Sequence, residues 1–130
     1  MREIEFRAWD KSKERMILNY AHVGKEGKMY VAFDTPDMDL ELMQYTGLKD
    51  KNGTKIFEGD LVDNKENGLY KYPLLVEKDE LQGFSLRPIQ TIVKGKILPE
   101  VFIRNFNYIG AFEIIGNIYE NPELLKVTND

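Results

Sequence analysis

The sequence has no cysteine among its 130 residues and a single histidine, His22. Without thiols there are no disulfides, thiolate zinc sites, iron–sulfur clusters or cysteine nucleophiles. One histidine excludes His-rich metal sites and every two-histidine mechanism. Serine is scarce too. Ser12 and Ser85 are the only two, and neither lies in a Gly-x-Ser-x-Gly turn, so Ser-His-Asp acyl transfer is not expected. None of the ten glycines precedes a Lys-Ser or Lys-Thr pair, so no phosphate-cradling loop is present. No window approaches the roughly 18 apolar residues of a membrane span. The opening Met1-Arg2-Glu3-Ile4-Glu5 lacks the apolar run of a signal peptide. The expectation is a soluble, cytoplasmic chain with no membrane partner.

What is present is ordinary for a globular protein: 42% hydrophobic, 12% aromatic and 31% charged residues, with a net charge of -4. The length suits one compact unit, or two small halves that share a core. Charge is uneven. Residues 1–33 carry +2, residues 34–66 carry -5, residues 67–109 carry +2 and residues 110–130 carry -3. The acidic total argues against strong salt-driven binding to bulk nucleic acid, which needs many phosphate contacts. A local basic face remains compatible with it.

Alternation dominates the patterning. Ile4, Phe6 and Ala8 alternate with Glu3, Glu5 and Arg7, which predicts a half-buried strand over 3–10. Asp10 to Lys13 is a polar turn, Arg15 to Tyr20 a return strand and Lys28 to Phe33 a third strand. Residues 34–46 are ambiguous. Asp34-Thr35-Pro36-Asp37 resembles a helix start, with Leu40 and Met43 facing a core and Gly47 as C-cap. The alternative is a loop running into a strand at Met43 to Thr46. Asn52-Gly53 supplies a tight turn. Further strands are expected at Leu61-Val62, Tyr70 to Glu77, Phe84 to Pro88, Ile89 to Leu98, Val101 to Tyr108 and Phe112 to Tyr119. Asn121-Pro122-Glu123 caps a short helical turn.

Three segments carry a resemblance when read together. They are Ile4 to Asp10; Leu42 to Gly53, running on into Ile56-Phe57-Glu58-Gly59-Asp60-Leu61-Val62; and Ile115 to Leu124. The chain resembles the YopX family of small phage and prophage proteins, over both ends and the centre. Residues 63–110 carry little of the likeness. The resemblance implies a β-rich fold and a phage or prophage product acting in the cytoplasm of a bacterial host cell. It brings no catalytic residues.

The expected fold is mostly β. An N-terminal three-stranded part (1–46) packs on a small SH3-like, barrel-like part (47–130), with one or two short helical turns and a shared core. Glu58-Gly59-Asp60 reads as a turn into a barrel strand, with positive φ at Gly59 and the Asp60 carboxylate on nearby backbone amides. Trp9 reads as a core or edge anchor, with a stacking platform as the alternative. His22 reads as a surface or hairpin residue.

Three constellations are candidates for chemistry. Pro36-Asp37 with Asp63-Asn64-Lys65 formally matches a short pattern of metal-dependent nucleases, in which two carboxylates hold Mg²⁺ and the lysine assists. In a chain rich in Asp and Lys that match is expected by chance. Asp34, Asp37, Asp39 and Glu41 form the densest acidic cluster; it lacks the Gly and Glu of an EF-hand and reads as a solvated face or a docking face for a basic partner. Arg87, Lys94, Lys96 and Arg104 lie in the locally basic third quarter, with Phe102, Phe106 and Tyr108 interleaved. Such a mixture serves base stacking with phosphate contact, and equally a core face with rim cations. No catalytic residue, metal ligand or cofactor site is assigned. The leading expectation is a non-enzymatic accessory protein that binds another protein. A nucleic-acid-binding barrel comes second, and exposed edge strands would favour homo-oligomers.

Overall fold

The computed structural model describes residues 4–24, 26–31, 39–63, 73–79, 83–88, 101–102 and 112–125. Strands β1 (Glu5–Asp10), β2 (Arg15–Val23), β3 (Met29–Val31), β4 (Leu40–Lys49) and β5 (Lys55–Phe57) form one antiparallel sheet in the order β3-β2-β1-β4-β5. Strands β6 (Asp60–Asp63), β7 (Leu74–Asp79), β8 (Gly83–Pro88), β9 (Val101–Phe102) and β10 (Glu113–Asn117) form a second, in the order β10-β6-β7-β8-β9. A 3₁₀ turn over Pro122–Leu125 follows. The mostly-β expectation holds, and the helical turn is where Asn121-Pro122 predicts it.

Local chemistry makes the turns. In the β1–β2 hairpin, Asp10 Oδ1 accepts from the Ser12 amide (3.1 Å) and hydroxyl (2.7 Å) and from the Lys13 amide (3.3 Å). This is the Asx-type geometry that makes aspartate a turn residue. Between β4 and β5, Asp50 Oδ1 accepts from Asn52 and Thr54, both at 2.9 Å, while Gly53 takes φ +82°. The other oxygen of Asp50 reaches across to the Ile114 amide at 3.1 Å, which ties this turn to β10. The β5–β6 turn places Gly59 at φ +89°. The Gly59 amide donates to the Val76 carbonyl (2.8 Å) and its carbonyl accepts from Ile118 (3.0 Å), so one glycine ties the turn to two other segments.

The main core gathers Leu48 and Ile56 from the first sheet with Val62, Leu74, Val76, Phe84, Leu86 and Phe112. Each such side chain contributes roughly 1.5–3 kcal/mol by burial. A smaller cluster, Leu61 and Leu75 with Ile115, Ile118, Leu124 and Leu125, uses the 3₁₀ turn as its cover.

Two details depart from the sequence reading. The second sheet is not a closed barrel: β10 and β9 are its ends, and no ladder joins them among the described residues. Its apolar residues are covered by the first sheet and by the 3₁₀ turn, so burial does not require closure. Among the described residues the N-terminal sheet also has five strands rather than three. Residues 40–49 become β4 because their backbone pairs with β1 from Phe6↔Gln44 to Asp10↔Leu40. Gly47 is not a helix cap; it sits at φ +88° where the β4–β5 register shifts. β4 runs through the expected boundary between residues 46 and 47. The expected strand over 89–98 lies outside the described residues.

Candidate functional site

The strand alternation of β1 puts Arg7 on the face opposite Phe6 and Ala8. The β5–β6 turn brings Asp60 to meet it. Arg7 Nη2 donates to Asp60 Oδ1 at 2.7 Å and to the Glu58 carbonyl at 3.4 Å. The guanidinium lies 4.8 Å from the centroid of the Phe57 ring. Asp60 Oδ2 accepts from the Phe57 amide at 2.8 Å, so both its oxygens are engaged. The pair is almost dry: the side chains retain 9% and 1% of their accessible surface. Burial pushes the Asp60 carboxyl above the usual aspartate range, with the Arg7 charge and the Phe57 amide opposing that rise.

This pair lies at a cleft of about 580 Å³ where the first sheet meets β6, β10 and the Asn117–Asn121 turn. The size is within the range of small-molecule sites. Lys55 Nζ binds Glu5 Oε2 at 2.8 Å on one wall. On another, Asn117 Oδ1 accepts from the Tyr119 and Glu120 amides at 3.0 and 2.8 Å, and Asn121 Oδ1 accepts from the Asn117 amide at 3.1 Å. Phe57, Leu18 and Ile114 supply apolar wall. Arg7 Nε is buried and, among the described residues, has no hydrogen-bond partner. A buried donor left without a partner costs about 1–3 kcal/mol.

Beyond the cleft, Trp9 stacks on Tyr119 with centroids 5.6 Å apart and planes at 15°. Trp9 therefore joins the first sheet to the end of β10. Its neighbour in register is Glu41. Burial, with Glu41 close by, pushes the Tyr119 hydroxyl above the usual tyrosine range.

Of the residues singled out from sequence, Arg87 lies on β8 and pairs with Glu77 at 2.8 Å. Phe102 lies on β9 opposite Ser85. Lys94, Lys96 and Arg104 lie outside the described residues. Glu41 sits on β4 bridged to Lys11, and Asp39 is exposed just before that strand, its carbonyl accepting from the Lys11 amide. Asp34 and Asp37 lie outside the described residues. Asp63 stands opposite Glu113 on β10, while Asn64 and Lys65 lie outside them. Among the described residues no group of three His, Asp or Glu is placed to hold a metal ion. Among the same residues no helix is long and apolar enough to cross a membrane. His22 is exposed and stacks on Tyr30 at 5.2 Å.

Sequence reasoning found the Gly59-Asp60 turn and the role of the carboxylate on a backbone amide. It missed Arg7 as the partner of Asp60, since an arginine in an alternating strand reads as solvent-facing. No curated protein matches the chain. Among solved structures, the crystal structure of protein EF1440 from Enterococcus faecalis is similar, with 26% identity and a TM-score of 0.62, covering 95% of this chain and 98% of that one. The YopX protein family matches residues 5–126. That match takes in both sheets, the Arg7–Asp60 pair and the 3₁₀ turn, and the chain belongs to the YopX family.

Proposed function

We propose that this protein is a phage- or prophage-encoded accessory protein of the bacterial cytoplasm that acts without catalysis, by binding another protein through the outer face of its N-terminal sheet. The supporting observation is a pair of apolar rows across that sheet. In one, Val31, Ala21 and Phe6 stand side by side; in the next, Ile17, Ala8 and Leu42 do so. Cross-strand partners share a face, so the two rows form one surface. Leu42 is 52% exposed and Val31 46%, and the edge strand β3 adds Tyr30 on the opposite face. Ala8 and Ala21 between them are buried and Phe6 and Ile17 half-buried, so the exposed apolar area of this face comes chiefly from Leu42 and Val31; exposed apolar area gathered on one face is what interaction surfaces offer. The non-catalytic reading rests on the sequence, in which no recognisable set of groups would activate a nucleophile or hold a metal.

The test is an affinity capture from host lysate, with and without nuclease, in parallel with a Val31→Asp/Leu42→Asp variant. Both positions are exposed, so the variant should keep its fold within about 0.5 kcal/mol per site. The expected result is a protein partner that survives nuclease and is lost in the variant. A nuclease-sensitive eluate of DNA or RNA would refute the reading. So would a partner captured equally by the variant, or recovery of further copies of the same chain alone.

A further inference from the structure

We propose that the open edge of β4 at Leu40 and Leu42 receives an extended segment of a partner protein, in which lysines or arginines alternate with apolar residues, and that the segment adds to the first sheet as an antiparallel strand. The inference rests on the protein-binding reading, since Leu42 belongs to both surfaces. Backbone direction carries it. The Asp39 carbonyl accepts from the Lys11 amide at 3.0 Å, so the odd-numbered positions from Asp39 to Met43 aim their peptide groups at β1. The Gln44 carbonyl accepts from the Glu58 amide at 2.9 Å, and the Gln44 amide donates to Glu58 Oε1 at 3.1 Å. The even-numbered positions therefore aim away from β1. Peptide groups two residues apart on a strand aim to the same side, so those of Leu42 and Leu40 point outward. β5 and the Glu58 amide cover this edge from Gln44 onward. Among the described residues no strand pairs with β4 on that side at Leu40 or Leu42. Leu42 is 52% exposed. An uncovered edge of this kind is a template for another strand, whose main chain supplies the missing bonds.

The side chains along the edge select the segment. From Asp39 to Leu42 the chain reads acid, apolar, acid, apolar. Glu58 adds a third carboxylate at the Gln44 end. Glu41 is bridged to Lys11, while Asp39 and Glu58 form no ion pair among the described residues. A cleft of about 260 Å³ runs beside this edge, with Glu77 and Lys78 on its far wall. Glu77 is bridged to Arg87, and Lys78 donates to Gln44 Oε1. Three carboxylates against Lys11 and Lys78 leave a charge of -1. Directly opposed residues on paired strands share a face, and opposite charges there attract. An added strand therefore sets its cations against Asp39 and Glu41 and its apolar side chains against Leu40 and Leu42. Nucleic acid would bring phosphates to a rim that is already acidic. A second copy of the chain would bring the same acidic edge against this one.

The experiment titrates the full chain against a fluorescent heptapeptide of alternating valine and lysine and reads its anisotropy. A valine–glutamate heptapeptide is the charge control. Two further peptides carry N-methyl groups, one on every valine and one on every lysine. The residue that exchanges both hydrogen bonds with Leu42 stands opposite it and shares its face, so it is a valine. Methylating the valine amides removes the bonds to the edge; methylating the lysine amides removes groups that face away. On the protein side, Leu42→Pro deletes an outward donor and spares the ladder to β1, a position where edge strands accept proline. Circular dichroism checks its fold, and the methylated peptides decide the matter if it does not fold. The expected result is binding of the valine–lysine peptide, undiminished by lysine methylation. Valine methylation, the glutamate peptide and Leu42→Pro should each weaken it by about tenfold or more. Four results would overturn the proposal. They are no binding of the valine–lysine peptide; equal binding of the two methylated forms; equal binding of the glutamate peptide; and full binding by a folded Leu42→Pro. A lysate partner lost in Val31→Asp/Leu42→Asp but kept by folded Leu42→Pro would overturn this inference and leave the protein-binding reading standing.

Discussion

Replacing Arg7 by methionine keeps most of the side-chain volume and removes the charge that faces Asp60. Asp60 would then be a carboxylate with 1% of its side-chain surface exposed, holding one backbone amide and no counter-ion. Removing one member of a buried pair costs about 3–5 kcal/mol, because the survivor is a charge out of water. Asp60 can relieve part of this by taking a proton, so the lower end is expected at neutral pH: about 3 kcal/mol. With a urea m-value of about 1.5 kcal/mol/M for a chain of this size, the midpoint falls by roughly 2 M. Asp60→Asn leaves the Arg7 cation buried instead and should cost a similar amount. The double variant removes both charges and should be less damaged than the sum of the singles by about 2 kcal/mol. The pH dependence has a definite sign. Burial already holds the folded Asp60 above its unfolded value, so its contribution to stability is present in acid and lost as pH rises through the folded value. Without Arg7 that value climbs further, so the gap between the parent and Arg7→Met widens from about pH 4 towards neutrality. Urea titrations at a series of pH values measure all of this. Single variants that each cost under about 1 kcal/mol, or that add without coupling, would show that the pair is not desolvated and refute the reasoning.

The other predictions concern the turns. Gly59→Ala puts a Cβ on a residue at φ +89° and 3.1 Å from Met43 Sδ, so it should cost about 1–2 kcal/mol and lower the Tm by roughly 4–8 °C in a thermal scan. A Tm unchanged within a degree or so would show that this turn relaxes freely. Asp50→Ala strips acceptors from the Asn52, Thr54 and Ile114 amides at once; a loss of about 2–4 kcal/mol is expected by urea unfolding, with faster hydrogen exchange at Ile114. Unchanged exchange there would dismiss the link between the turn and β10. The Ser12 hydroxyl and neighbouring amides hold the Asp10 carboxyl below the usual aspartate range. Its contribution is therefore present above the unfolded value and lost as pH falls through the folded one. Stability curves of the parent and Asp10→Asn should separate above about pH 4 and converge in stronger acid; curves that stay parallel would contradict this.

How much of this was legible depends on the range of each interaction. The alternation over Ile4 to Ala8, the Asx turn at Asp10, the Asn52-Gly53 turn and the Pro122 helical turn are all set by residues within a few positions of one another. Near neighbours fix φ and the nearest hydrogen bond, so these features can be read from the order of residues alone. The same holds for Gly59-Asp60, where the carboxylate caps an amide three residues back. Residues 34–46 read equally as a helix start or as a loop running into a strand, and pairing with β1 is what makes Leu40–Lys49 a strand. Arg7 was read as a solvent-facing alternate. Its burial follows from the sheets meeting at the β5–β6 turn, which brings together two residues 53 positions apart. The same meeting sets Trp9 against Tyr119 and encloses the cleft. The sequence by itself determined strands, turns and family, because those are written in local preference and in the pattern of residues. Tertiary structure alone decided which charges lie buried together and where a donor is left without an acceptor, because desolvation is a property of the packed sheets and of no single segment.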